Sequence, residues 1–285
     1  MRYIIIGLGT QKSATTFIYK SIQKDSYYIS PLTKEFHTFD TYYFHNNFFD
    51  FKTALIQKLA DKNEKGKEDL YRLVSFMNNP ENYYNYFDHI LPKDQHSFSS
   101  DITPSYCLLN ERQLFDIKNN FQKKGINVKV VFNMREPITR LYSEIKMIRR
   151  IKNSALYNFF TELDKDALIL KLASGDLAKE RVNYMQIYKN ITNVFDSHEY
   201  LINLYETMFT QDSLKNLSYF LFNGRKKIIE NKKYNVSPHF SFKSPFKAST
   251  IKLLMNIYEE HYEFCESIFP GSKLLWKQAC MNLTI

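Results

Sequence analysis

Two glycines, a lysine and four hydroxyl-bearing residues crowd into ten positions near the start of the chain: Gly7-Leu8-Gly9-Thr10-Gln11-Lys12-Ser13-Ala14-Thr15-Thr16. They follow Ile4-Ile5-Ile6, an apolar run that reads as a buried strand. Small residues after such a strand let the backbone turn sharply into a helix. Backbone N–H groups and hydroxyls then converge on one point, and the helix dipole adds positive potential there. Lys12 puts a full charge into that cradle, so the chemistry expected is the binding of a phosphate-type anion. The loop is not a Walker A motif, which places a glycine directly before its lysine. No apolar run ends in an aspartate suited to holding Mg²⁺. A plain strand-to-helix turn with a threonine-rich cap is the competing structural reading.

A second candidate anion site lies in Val130-Val131-Phe132-Asn133-Met134-Arg135-Glu136-Pro137-Ile138-Thr139-Arg140-Leu141-Tyr142-Ser143. The strand ends at Arg135, and Pro137 suits the first turn of a helix. Ser143 follows Arg135 within that helix, at a spacing that brings guanidinium and hydroxyl together if the loop folds back. A guanidinium is a planar fork suited to phosphate. A surface salt bridge is the bland alternative for Arg135 alone. One ligand with two separated anionic groups accounts for both sites.

Gln11-Lys12-Ser13-Ala14-Thr15-Thr16 resembles the first loop of the sulfotransferases that use 3′-phosphoadenosine 5′-phosphosulfate, Gln-Lys-small-Gly-Thr-Thr, with Ala14 where glycine is usual. The resemblance implies that Gln11, Lys12, Ser13, Ala14, Thr15 and Thr16 hold the donor's 5′-phosphosulfate and that Arg135 and Ser143 grip its 3′-phosphate. Glu136 stands where that family has the asparagine of Arg-Asn-Pro. Lys34-Glu35-Phe36-His37-Thr38-Phe39-Asp40 resembles the Lys-Glu-x-His-Phe-Phe-Asp run of the heparan sulfate sulfotransferases. That likeness implies Glu35 as catalytic base, with His37 and Asp40 in the acceptor site; Lys34 assists or simply holds Glu35. His37 as base is the alternative, as in the cytosolic small-molecule sulfotransferases. Asp101-Ile102-Thr103-Pro104-Ser105-Tyr106 matches a Thr-Pro-x-Tyr segment of the family, which implies that Thr103, Ser105 and Tyr106 border the acceptor. Lys243 and Lys247 fall in the late loop that closes over the donor in relatives.

The reaction so implied is transfer of a sulfuryl group to a hydroxyl. A positioned carboxylate that takes the hydroxyl's proton contributes about 10²–10⁴-fold. Lys12 beside the departing phosphate oxygen stabilises the charge that builds there, an effect of about 10²–10³-fold for one such donor. No metal is expected, since lysine and helix-terminal N–H groups supply the positive charge. The expected product nucleotide is 3′-phosphoadenosine 5′-phosphate.

The elements that must carry these residues follow from pattern and punctuation. Strands are expected at 3–6, 27–29, 97–102, 128–134 and 200–205, with 7–13 a loop. Helices are expected at 14–24, near 52–61 and 67–78, after Pro137, across 155–195, at 211–222 and at about 248–265. Alternating strands and helices predict an α/β protein with a P-loop-NTPase-like central parallel sheet flanked by helices on both faces. The expectation is a single domain over 1–285, with a helical, aromatic-rich insertion at about 41–96 on the acceptor side. Trp276 is expected in the core.

Composition narrows the field without choosing the reaction. The chain has 285 residues, 44% of them hydrophobic, which is enough for an unstapled core and excludes a disordered protein. Three widely spaced cysteines suggest neither a disulfide framework nor a metal knuckle. No apolar run is long enough for a membrane span and no cleavage-site pattern opens the chain, so a cytoplasmic location is expected. The net charge of +9 suits an anionic partner, but no nucleic-acid module is recognisable, so no nucleic-acid partner is expected. The Glu35-x-His37 pattern points to a carbohydrate or glycolipid acceptor. Two other classes stay open: a P-loop-type nucleotide kinase needing Mg²⁺, and a non-catalytic module that binds anionic polymers.

Overall fold

The computed structural model describes residues 1–44, 51–61, 66–148, 164–225, 227, 229–230 and 246–284. Strand β1 (Arg2–Gly9) is buried along its whole length. Its three consecutive isoleucines favour extended backbone, and burial of both faces marks a central parallel strand. β2 (Ser97–Asp101), β3 (Ile126–Met134) and β4 (Tyr200–Leu204) complete a parallel sheet in the order β2-β1-β3-β4.

Side chains alternate across the sheet and feed two cores. Ile4, Ile6, Val128, Val130 and Phe132 face a large one, built with α6 (Glu111–Lys123), α7 (Pro137–Ile148) and α10 (Tyr184–Val194). Tyr3, Ile5 and Val131 face a smaller one under α1 (Thr15–Ile22) and α11 (Gln211–Leu221). Helices on both faces of a parallel sheet are the architecture the sequence predicts.

The large core extends into a helical lobe: α2 (Thr38–Tyr43), α3 (Phe51–Ala60), α4 (Lys67–Asn78) and α5 (Pro80–Ile90). Phe36, Phe39, Phe76, Tyr83 and Phe87 meet edge-to-face and tilted at its centre, with ring centroids 4.9–6.1 Å apart. The aromatic richness of this stretch is therefore mostly packing. Phe48 and Phe49 lie outside the described residues.

Chain direction fixes where a ligand can sit. From β1 the chain passes to β2 on one side, then crosses to β3 on the other. The crevice at the carboxyl ends of β1 and β3 is thus a switch point, where open α/β sheets bind ligands. The loop after β1 and the Arg135 segment after β3 both open there. β1 ends in close quarters: a Cβ on Gly7 would stand 2.8 Å from the Ile102 side chain, and one on Gly9 2.3 Å from the Pro104 carbonyl oxygen. These glycines let β1 pack against the segment after β2.

Several boundaries differ from the sequence reading. β1 runs on through Gly9, so the loop begins later than Gly7. Residues 27–29 form a single bridge, Tyr28 to Phe98, held by two backbone hydrogen bonds, before Pro31 turns the chain away. The 155–195 stretch is no continuous helix where described. It is α8 (Lys165–Ser174), α9 (Asp176–Arg181) and α10, broken at Gly175 and Asn183, and 155–163 lie outside the described residues. The late helix divides at Tyr258 into α12 (Ala248–Ile257) and α13 (Glu259–Ile268), and α14 (Ser272–Met281) follows. Trp276 on α14 is fully buried, as expected.

Candidate active site

The loop after β1 is shaped by its contacts with β3. Thr10 N–H donates to the Asn133 carbonyl at 3.2 Å, and Asn133 Nδ2 donates to the Ser13 carbonyl at 2.7 Å. Arg135 Nη1 donates to the Lys12 carbonyl. The buried Ser13 hydroxyl bonds Thr10 Oγ1 at 2.9 Å, so it serves the loop itself. Two residues here adopt left-handed backbone, Lys12 at φ 71° and Ala14 at φ 61°. Ala14 occupies the position before α1 where glycine would sit without strain. Thr15 and Thr16 open α1 and place their hydroxyls at its positive end.

Arg135 leaves β3 half-buried, with its guanidinium carbon 4.2 Å from the centre of the Tyr205 ring. Its Nε is buried without a hydrogen-bond partner, a donor that a bound anion would satisfy. Ser143 is half-buried on α7. Glu136, at the position where the resembled family has asparagine, caps α7: its carboxylate accepts from Ile138 N at 2.9 Å and Thr139 N at 2.5 Å. Glu136 also accepts from Tyr262 OH at 2.6 Å, and its own N–H donates to Glu206 Oε1 at 3.0 Å. Trp276 Nε1 donates to the other oxygen of Glu206 at 2.9 Å, tying α14 to the root of the Arg135 segment.

The segment 34–40 lies against the opening of α1. Lys34 Nζ stands 2.6 Å from Glu35 Oε1 and 3.4 Å from both Thr15 Oγ1 and Thr16 Oγ1. Glu35 Oε2 is 3.5 Å from His37 Nε2, and His37 Nδ1 is 2.7 Å from Asp40 Oδ2. Ser105 Oγ donates to the same Asp40 oxygen. A carboxylate–imidazole–carboxylate line therefore runs from the opening of α1 toward the helical lobe, where the His37 ring lies 4.2 Å from that of Phe51.

Electrostatics set the protonation of this line. Burial alone would lower His37, but hydrogen bonds to Asp40 and Glu35 outweigh it and lift the imidazole to about 9. Burial alone would raise Glu35; hydrogen bonds from His37 and the charge of Lys34 instead hold it below the usual carboxylate range. Both shifts favour imidazolium and carboxylate for the pair at neutral pH.

One residue that organises this segment escaped the sequence reading. Asp101, fully buried at the end of β2, accepts from Tyr83 OH at 2.9 Å, Tyr106 OH at 2.8 Å and Thr103 Oγ1 at 2.5 Å, and from Phe36 N at 3.3 Å. Thr103 Oγ1 in turn accepts from Phe36 N at 3.0 Å, and Tyr106 OH accepts from Thr38 N at 3.1 Å. Burial raises its carboxyl to about 6, and the hydrogen bonds from Thr103, Tyr106 and Tyr83 restrain the rise. Thr103 and Tyr106 are buried and spend their hydroxyls on this clamp. Of the three residues expected to border the acceptor, Ser105 reaches the side chains of the His37–Asp40 pair, and Thr103 Oγ1 meets only the His37 backbone N–H, at 3.4 Å. A carboxylate at the very end of a strand, just before Thr-Pro, is the signal that marked the clamp.

A second network joins Gln11 to α7 and α9. Arg181 Nη1 bonds Gln11 Oε1 at 3.3 Å and Glu144 Oε1 at 2.8 Å, while Arg140 Nη1 bonds Glu144 Oε2 at 2.9 Å. It braces Gln11 against α7 and α9. Burial alone would raise Glu144, but Arg140 and Arg181 hold it ionised.

The structure thus brings Gln11, Lys12, Ser13, Ala14, Thr15, Thr16 and Arg135 together at the switch point, with Lys34, Glu35, His37, Asp40 and Ser105 beside them. Lys247 is exposed, and its backbone N–H bonds Asp166 Oδ1 at 3.0 Å at the start of α12. Lys243 lies outside the described residues. Among the described residues no group of three or more His, Cys, Asp or Glu side chains is placed to hold a metal ion. No described helix is long and apolar enough to cross a membrane.

No family model matches the sequence, and no curated protein matches it. Solved structures do. Two sulfotransferase domains align over most of the chain at low overall superposition: that of the Synechococcus PCC 7002 olefin synthase (14% identity, TM-score 0.46, 90% of this chain and 94% of that one) and that of the curacin biosynthetic pathway (13%, 0.45, 91% and 97%). A sulfotransferase from Alicyclobacillus acidocaldarius aligns over 97% of this chain and 99% of its own, at 14% identity and a TM-score of 0.57. Over its described residues, the chain has the P-loop-like α/β fold of that bacterial sulfotransferase.

Proposed function

We propose that the protein is a sulfotransferase that moves a sulfuryl group from 3′-phosphoadenosine 5′-phosphosulfate to an acceptor hydroxyl, with Glu35 as general base. The observation that carries this reading is the adjacency of base and anion cradle: one lysine, Lys34, touches Glu35 and the two hydroxyls at the start of α1. The fold shared with a bacterial sulfotransferase supports it.

The residues fit such a donor. Gln11, Lys12, Ser13, Ala14, Thr15 and Thr16 form the cradle for the 5′ group, and Arg135, with its buried unpartnered Nε, and Ser143 take the 3′-phosphate. When bound, the donor supplies the sulfuryl group and a phosphate leaving group. The acceptor's O–H bond breaks toward Glu35, which takes the proton as the oxygen bonds sulfur. Lys12 stabilises charge on the departing oxygen. His37, held as imidazolium by Asp40, fixes the Glu35 carboxylate and contributes no lone pair. That protonation favours Glu35 over His37 as base.

The acceptor we propose is a carbohydrate or glycolipid hydroxyl, entering on the side of the 41–96 insertion of a single 1–285 domain. The contact of His37 with Phe51 supports that side, and Lys34, Asp40 and Ser105 border it. The proposed setting is the cytoplasm. Lys243 and Lys247 are proposed to close over the donor.

Calorimetric titration with 3′-phosphoadenosine 5′-phosphate in EDTA, with ATP as control, tests the reading. Metal-free binding of the bisphosphate in preference to ATP is expected. Binding of ATP alone, and only with Mg²⁺, would overturn it in favour of the kinase.

A further inference from the structure

We propose that Lys34 is a shared cation that couples the two halves of the site: an anion in the cradle of α1 draws its ammonium off Glu35, so the base is freed only when the donor is in place. The inference rests on the sulfotransferase reading and adds an order of events to it.

Both oxygens of Glu35 are engaged in the structure, Oε1 by Lys34 at 2.6 Å and Oε2 by His37 at 3.5 Å. A carboxylate held against two such partners is a weaker proton acceptor than one held against a single partner, so release of one oxygen strengthens the base. His37 is the less movable partner, fixed on its far side by Asp40. Lys34 is the movable one. Its root is anchored, because its carbonyl accepts from Ile102 N at 2.8 Å. Its flexible stem carries an ammonium with three donors. That ammonium already lies 3.4 Å from the hydroxyls of both Thr15 and Thr16.

An anion at the start of α1 turns those hydroxyl protons toward itself and meets the ammonium standing beside them. A phosphosulfate or terminal phosphate carrying two negative charges attracts a cation more strongly than one carboxylate does. Lys34 stays protonated throughout, and no bond to hydrogen changes. What changes is the positive charge held against Glu35, and with it the carboxylate's affinity for a proton. The acceptor's proton then finds a stronger base when the donor is bound.

The test uses two nucleotides that differ only in the 5′ group, 3′-phosphoadenosine 5′-phosphate and adenosine 3′-monophosphate, titrated calorimetrically into the whole chain. Lys34→Met is expected to weaken the bisphosphate by about ten- to a hundredfold, the usual size of a charge-assisted hydrogen bond, and to leave the monophosphate unchanged. Lys34→Arg should recover most of the loss. In a second arm, Glu35→Gln is expected to tighten the bisphosphate with Lys34 present and to have no such effect in the Lys34→Met background. A folded Lys34→Met protein with wild-type affinity for the bisphosphate overturns the proposal, as does an equal loss for both nucleotides. Tightening by Glu35→Gln that persists without Lys34 also overturns it. If the wild-type chain itself fails to bind the bisphosphate, the sulfotransferase reading falls and takes this inference with it.

Discussion

The two loops that meet at the switch point are built on opposite plans. The proposed donor-side loop, residues 10–16, is held through its own main chain: the Thr10 N–H and the carbonyls of Lys12 and Ser13 bond groups on or just after β3. The proposed acceptor-side segment, residues 34–40, is held by side chains, above all by one buried carboxylate, Asp101, and the hydroxyls that report to it. A loop fixed through main-chain groups tolerates a change of side chain within it. A loop fixed through one carboxylate depends on that carboxylate.

The sharpest separation of the two comes from Glu35→Gln. It removes the proposed base and leaves the cradle, so turnover is expected to fall about 10²–10⁴-fold. Affinity for 3′-phosphoadenosine 5′-phosphate should be improved, with turnover read by sulfate-transfer assay beside calorimetry. Loss of donor binding in that variant would join the two loops into one unit and break the contrast.

Asp101→Asn attacks the acceptor segment from beneath. An amide cannot accept from Tyr83, Tyr106, Thr103 and Phe36 at once, and one buried donor is orphaned. The expected cost is about 1–3 kcal/mol of stability and about ten- to a hundredfold in kcat, from misplacement of Glu35. Urea unfolding and steady-state kinetics measure both, with the KM for donor little changed. Asp101 touches no reacting atom, so a rise in donor KM with unaltered kcat would show the clamp serving the other loop.

His37 gives a pH test of the same segment. Its folded value, about 9, lies above the ordinary 6.5, so its charged contacts stabilise the protein fully below about pH 6.5 and are lost as pH rises through about 9. The loss is on the order of 3 kcal/mol by the one-unit equivalence. Urea unfolding from pH 6.5 to 9.5 should show a decline that His37→Asn abolishes. The difference between the two proteins also separates His37 from Lys129, whose ammonium burial pushes down to about 8.

The smallest effect is expected on the donor side. Ala14→Gly exchanges a left-handed alanine, which costs roughly 1–2 kcal/mol, for a glycine with more entropy to lose, roughly 0.5–1 kcal/mol. A net gain of up to about 1 kcal/mol in thermal unfolding should accompany unchanged or tighter bisphosphate binding. A loss of stability would show that the methyl group of Ala14 packs usefully.

The uneven legibility of the sequence follows the same division. The donor side could be read because its signals are local: Ile4-Ile5-Ile6 is a strand by composition, and the lysine, serine and threonines that follow are contiguous. β3 and Arg135 were readable for the same reason, with Pro137 marking the helix start. Glu35, His37 and Asp40 could be placed by resemblance, but what holds them could not. Asp101 is more than sixty residues away along the chain, and the brace from Arg181 and Glu144 to Gln11 joins three distant elements. Boundaries failed where tertiary packing decided them. β1 runs through Gly9 because Gly9 still pairs with Phe132 of β3, and residues 27–29 make one bridge before Pro31 removes the next donor.

The tie from α14 to the Arg135 segment has a practical meaning. Trp276 is the one tryptophan in the chain, and its indole N–H is bonded to Glu206, which holds the backbone of Glu136 next to Arg135. The chain therefore carries its own optical reporter. Emission from a single buried indole, fed by energy transfer from the many tyrosines, follows the polarity and hydrogen bonding at the root of the candidate 3′-phosphate site. A shift in wavelength on adding nucleotide reports events there without a label, and a shift on unfolding reports the undocking of the C-terminal helix from the same carboxylate.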